Sequence, residues 1–188
     1  MRWWTKRFLL SASLLAFSFG ATPYYVEPCM NPKTGCIASD PDLARWAFEA
    51  WQAASAGKLE FAPAAKREDA LIRIVWSTPE EGLYGETMPL LINGHRGAQV
   101  NVRIVDPGRP DPLLRATIVY LTCLHESGHA IGLPHTANFA DIMYSFQYGG
   151  DIDEYFARYR RKLKSREDIR KYSGISAEDR AHLAALFR

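Results

Sequence analysis

The sequence predicts an α+β domain in which a twisted sheet of four to five strands packs on two long helices and a further helix closes the C-terminus. Three observations carry this. Two runs with apolar residues at three- and four-residue spacing each open on an Asp-Pro pair, at Asp40-Pro41 and Asp111-Pro112, and helices favour such a cap with proline in the first turn. Between them lie short runs rich in β-branched residues and punctuated by Gly and Pro, the pattern of strands. A last stretch is led by Ser176 with Asp179 three residues on, a capping box with aspartate in place of glutamate. With 188 residues, 47% hydrophobic and 23% charged, the chain suits one globular domain with a core of its own.

In chain order, MRWWTKR is basic, the run from Phe8 to Phe19 is apolar, and Ser18 and Gly20 are small residues at the -3 and -1 positions of a cleavage site. Residues 1–20 therefore read as a secretory signal. The alternative is a membrane anchor, but about a dozen apolar residues fall short of the ~20 that span a bilayer. A secreted, periplasmic or extracellular chain with no stable membrane insertion after cleavage is expected. Cleavage removes Arg2, Lys6 and Arg7 and no acid, taking the formal charge from +2 to -1, so nothing argues for nucleic acid as a partner. Residues 21–39 read as an irregular arm with at most one short strand, and residues 40–188 as the main domain.

Within the arm, Cys29 and Cys36 bracket the loop CMNPKTGC, whose Pro32 and Gly35 suit a tight turn. An oxidising compartment favours their pairing as a disulfide. From Asp40, the stripe Leu43, Trp46, Ala47, Ala50, Trp51 and Ala54 predicts a long helix ending near Gly57, its tryptophans serving the core. Strands are expected at 59–62, at 71–76, somewhere within 83–92, and at 98–105. The second long helix carries Leu114, Ile118, Leu121, His125, Gly128, His129 and Gly132 along one stripe. Cys123 lies about 200° round from His125 and reads as a buried, unreactive thiol. After an aromatic loop at 145–150, residues 153–164 look helical. Arg158, Arg160, Arg161, Lys162 and Lys164 make that run strongly basic. It reads as a solvated face, with an anionic partner or membrane surface as the alternative. The terminal helix is expected to turn Leu183, Leu186 and Phe187 inward and His182 outward.

The chemistry concentrates in His125 to His135, HESGHAIGLPH. His125 and His129 stand one helical turn apart and face the same way. Gly132 can reverse the chain and bring His135 back beside them. Three neutral nitrogen donors leave a fourth tetrahedral position open, the arrangement of a catalytic zinc site. Glu126 follows the first ligand and is placed to act as general base.

The pattern HExxHxxGxxH, with Asp141-Ile142-Met143-Tyr144 downstream, resembles the metzincin zinc peptidases and their Met-turn. The glycine-leucine pair, the spacing to Met143 and the Met-Tyr pair resemble the matrixin branch most. The resemblance covers roughly residues 40–144 and the terminal helix. It implies a mixed sheet with an antiparallel edge strand within 83–91, to which a substrate adds as an extra strand, and Met143 as support beneath the ligands. It also makes Phe146 and Tyr148 candidates for the wall of the substrate pocket; the alternative is that they cover the core. Matrixin propeptides carry an inhibitory cysteine, which makes a zinc switch at Cys29 the alternative to its disulfide, although the fuller switch motif is missing. With His95 the lone histidine before the second helix, one catalytic zinc and no structural zinc are expected, and calcium is left open.

The expectation is therefore a secreted, monomeric zinc-dependent endopeptidase acting on protein or peptide substrates. The alternative is a secreted, non-catalytic binding module stabilised by zinc, which engages an anionic surface through residues 153–171.

Overall fold

The computed structural model describes residues 20–80, 84–105 and 110–188. Of the expected secretory signal, only Gly20 lies among the described residues. No described helix is long and apolar enough to cross a membrane.

Five strands, β1 (Thr22–Val26), β2 (Phe61–Pro63), β3 (Ile72–Ser77), β4 (Gly85–Ile92) and β5 (His95–Arg103), form one sheet in the order β2-β1-β3-β5-β4. Every neighbouring pair is parallel except β4 with β5. The sheet is therefore mixed, with an antiparallel edge strand, and the domain is α+β as expected. Residues 22–26 form the one short strand that the sequence allows the arm, and it is interior to the sheet, with Tyr24 opposite Ile72 of β3 and Pro63 of β2. The alternation of β3 is regular, with Ile72, Ile74 and Trp76 buried and Arg73, Val75 and Ser77 half-buried. Between β4 and β5, Asn93 and Gly94 both take positive φ, 51° and 82°, the conformation in which an Asn-Gly pair closes a two-residue hairpin.

Two long helices, α1 (Asp40–Ala54) and α2 (Pro112–Ala130), pack on each other, with α1 against β1 and β2 and α2 against β4 and β5. Leu43, Ala44, Ala47, Phe48 and Trp51 form the buried face of α1. Trp46 lies partly out of that face, under the guanidiniums of Arg166 and Arg170 at 4.6 and 5.9 Å. Asp40 does not cap its helix, since Ser39 holds the cap position. Its buried carboxylate instead accepts from the Ile37 N–H at 2.9 Å and from Arg115 at 2.8 and 2.9 Å, tying the start of α1 to the first turn of α2. Asp111 caps α2 as expected, accepting from the N–H groups of Leu113 and Leu114 at 3.0 Å each. Deeper in, the Trp51 indole donates to the Leu124 carbonyl at 2.9 Å, so α1 grips α2 one residue before the first motif histidine.

The basic stretch forms α3 (Ile152–Arg160) and the short α4 (Asp168–Lys171). The first is shorter than the expected 153–164. Lys162 and Leu163 bond three residues back, to Tyr159 and Arg160, a tightening that ends the helix. Most of its cations are used internally. Arg158 lies 4.4 Å from the Tyr155 ring centre, Arg160 pairs with Asp111 at 3.0 Å, Arg161 with Glu154 at 2.5 Å, Arg170 with Glu49 at 2.9 Å and Lys171 with Asp168 at 2.9 Å. The terminal helix α5 (Ala177–Ala185) carries the expected capping box between Ser176 and Asp179. Of its apolar residues only Leu183 is buried; Leu186 and Phe187 are 42% and 40% exposed. They lie past the last helical turn, where the stripe no longer faces the core. His182 is half-buried, not exposed.

Candidate metal centre

The motif histidines converge because α2 stops where it does. Gly132, at φ 105°, takes a conformation that a β-carbon disfavours. The Leu133 N–H returns to the Gly128 carbonyl and the Gly132 N–H to the His129 carbonyl, both at 2.9 Å. This pair of bonds is the Schellman ending of a helix. Buried Leu133 anchors the reversal. The chain then runs back, and Thr136 pairs with the 143–145 segment through bonds of 2.8 and 3.1 Å, which holds His135 over the end of α2.

Three imidazoles meet there. His135 Nε2 is 3.2 Å from His125 Nε2 and 3.0 Å from His129 Nε2. Elsewhere on the rings, His125 Nδ1 lies 2.6 Å from the Ile142 carbonyl and His129 Nδ1 lies 2.8 Å from the Leu133 carbonyl. A carbonyl only accepts, so each Nδ1 carries the proton and each of these two Nε2 atoms presents a lone pair. Two lone pairs aimed at one region repel, and a cation held between them removes that cost. Nitrogens bound at about 2.0–2.1 Å around a tetrahedral zinc lie about 3.3 Å apart, close to the observed separations. The donor set thus fits zinc, and its ring orientations are already fixed from behind. Burial holds His125 down to about 4, and burial likewise lowers His135. Both shifts favour the neutral ring, the form that can ligate.

Glu126 is buried beside this cluster, and burial pushes its carboxyl above the usual range. The hydroxyl of Thr87 on β4 lies 2.7 Å from Glu126 Oε2. Met143 is buried under the motif. A β-carbon on Gly128 would collide with its sulfur and approach Trp51 to 3.1 Å, so the glycine inside the motif is what lets Met143 sit against α2. Its segment is pinned from α5: the Asp179 carboxylate accepts from the N–H groups of Ile142 at 2.9 Å and Met143 at 3.3 Å. The Tyr155 hydroxyl donates to the Asp141 carbonyl at 3.0 Å.

A cavity of about 200 Å³ opens beside the histidines, lined by His125, Glu126, His135, Phe146, Ile152 and Phe156, among others. Of the two aromatic candidates, Phe146 lines this cavity. Tyr148 does not line this cavity and is 57% exposed. The start of α3 also supplies apolar wall, through Ile152 and Phe156. Of the remaining candidates, His95 is exposed at the start of β5. Cys123 is fully buried, which raises its thiol pKa. Cys29 and Cys36 are joined as a disulfide with Cα atoms 5.4 Å apart. Among the described residues the one other grouping of possible ligands is this pair with Asp40, whose sulfurs hold each other and whose carboxylate holds Arg115.

Thr87, Asp179, Tyr155 and Phe156 were not read from the sequence as site residues. The Asn-Gly hairpin could have set the register of β4 and so turned attention to Thr87. No family model matches the chain, and no curated protein matches it.

Proposed function

We propose that the chain is a secreted zinc-dependent endopeptidase with a metzincin-like, matrixin-type fold. One observation carries the proposal: three imidazole nitrogens converge at 3.0 to 3.2 Å beside a buried glutamate, at the mouth of an apolar cavity. His125, His129 and His135 would hold the ion. Bound zinc supplies Lewis acidity that polarises a peptide carbonyl and acidifies water. Glu126 takes the proton of the attacking water and passes it to the departing amine. Burial raises the pKa of this carboxyl, the direction that helps a group which must first accept a proton and then give it up.

Substrate positioning falls to β4 and the cavity. Among the described residues β4 pairs with β5 alone, so its outer edge can accept an extended peptide as a further strand. A neighbouring side chain of that peptide would enter the cavity, with Phe146 at its wall. The antiparallel edge strand, the order of elements and buried Met143 fit the metzincin resemblance. The alternative of a binding module that uses the basic segment is weakened by the internal pairing of Arg160, Arg161, Arg170 and Lys171.

Elemental analysis together with cleavage of a mixed peptide library tests the reading. One zinc per chain and cleavage are expected. Glu126→Ala should keep zinc and lose about 10²- to 10⁴-fold in turnover, and His129→Ala should lose the metal. Zinc held without cleavage overturns the peptidase reading in favour of the binding module.

A further inference from the structure

Glu126 does not rest freely at the end of its helix. Two alternate residues of the edge strand, Gly85 and Thr87, point from the same face of β4 at its side chain. A β-carbon built on Gly85 would lie 2.6 Å from Cγ and 2.9 Å from Oε1 of Glu126, so only glycine lets the carboxylate occupy this place. From the next position on that face, the Thr87 hydroxyl lies 2.7 Å from Glu126 Oε2 and 2.8 Å from the Glu126 backbone carbonyl. One side chain thus bridges the reactive carboxyl and the helix backbone that carries it.

We propose that Thr87 is a positioning residue that holds the Glu126 carboxyl for proton transfer, and that Gly85 makes the room for it. The inference rests on the hydrolase reading above. A hydroxyl is both donor and acceptor. Toward the ionised carboxylate Thr87 donates its proton to Oε2. When Glu126 takes the proton on Oε1, Oε2 remains an acceptor and Thr87 goes on donating to it. The contact therefore survives the proton's arrival and departure with no heavy atom moving, as a group that first accepts and then donates requires. Because Thr87 belongs to the strand whose outer edge would seat the peptide, seating of substrate and orientation of the base share one element.

The test compares full-length, zinc-loaded wild type, Thr87→Val, which keeps the shape and removes the hydroxyl, and Thr87→Ser, which keeps the hydroxyl. The assay uses one peptide selected from the library. Thr87→Val should lose about 10- to 100-fold in kcat, the rate equivalent of one hydrogen bond to a charged group. Its zinc content should not change, and its KM should move by less than about twofold. Thr87→Ser should restore most of the rate. A kcat that is unchanged or raised in Thr87→Val, or a loss confined to KM, overturns the proposal. A second readout needs no turnover: in crystals of the metal-free proteins the Glu126 carboxylate should take one rotamer against β4 in wild type and several in Thr87→Val. The same single rotamer in both overturns the proposal. Zinc-loaded wild type that cleaves nothing overturns the peptidase reading instead, and the positioning role is then decided by the metal-free crystals alone.

Discussion

Asp179 offers a way to perturb the metal centre from a distance, because its fully buried carboxylate holds both the start of α5 and the segment behind His125. It accepts from the N–H groups of Ser176 at 2.9 Å, Ile142 at 2.9 Å and Met143 at 3.3 Å. Asp179→Ala leaves these donors buried without a partner. Hydrogen bonds to a charged group are each worth about 1.5–3 kcal/mol; counting the two short ones fully and the long one little, the loss is about 3–6 kcal/mol. That is a large share of the about 5–15 kcal/mol that holds a domain together. Asp179→Asn keeps one accepting oxygen and turns an amide N–H toward a donor, so a loss of about 1–2 kcal/mol is expected. The effect should reach the metal, because the Ile142 carbonyl that Asp179 steadies accepts from His125 Nδ1. Urea denaturation of the metal-free protein gives the stability, and competition with a chelator gives zinc affinity. Asp179→Asn should weaken zinc by about tenfold, the lower end of what loss of an outer-shell partner costs. Ser176→Ala removes both the cap and the bond its hydroxyl donates to the buried Asp141 carboxylate at 2.7 Å, so it should cost more than the ~1 kcal/mol of a cap alone. An Asp179→Asn protein that is destabilised yet binds zinc like wild type would refute the coupling, and Asp179→Ala within about 1 kcal/mol of wild type would refute the accounting.

Two further outcomes follow from the packing and the charges. Gly128→Ala forces a methyl into the Met143 sulfur and to 3.1 Å from Trp51; overpacking of this kind costs about 1–3 kcal/mol, and thermal unfolding should move down by several degrees, an unchanged midpoint showing that α2 and Met143 can separate freely. The Asp168 carboxyl is held down to about 2 by the Lys171 ammonium and by the N–H groups of Lys164 and Ser165. A depressed carboxyl contributes stability in full above its unfolded value and loses it as pH falls through the folded one. Asp168→Asn should therefore be less stable than wild type at pH 6, with the gap closing between about pH 4 and 2 in an acid titration of the unfolding free energy; a gap that widens on acidification would contradict the assignment.

What the sequence revealed divides along a physical line. His125, Glu126, His129 and Gly132 lie on one helix and its ending, so a period of 3.6 residues and one positive-φ glycine determine how they face each other before any tertiary contact is known. His135 needs only the turn that follows. The partners that make these residues work come from elsewhere: Thr87 from an edge strand 39 residues earlier, the Trp51 indole 73 residues before the carbonyl it meets, and Asp179 36 residues after Met143. Their placement depends on strand register and on how α1, α2 and α5 pack, which spacing along the chain does not encode. The same boundary explains β1. Its Thr, Tyr and Val residues favour strands, but Pro23 lacks the N–H that a ladder needs, and its interior place follows only from the pairing of both β2 and β3 with it. Phe156 makes the sharper case. Read locally it belongs to a basic helix that suggests a charged surface, yet its ring packs 5.2 Å from that of Tyr84 and lines the cavity beside Glu126. The segment farthest from the family resemblance therefore shapes the cavity, and under the proposed peptidase reading substrate preference should follow Ile152 and Phe156 more closely than the motif itself.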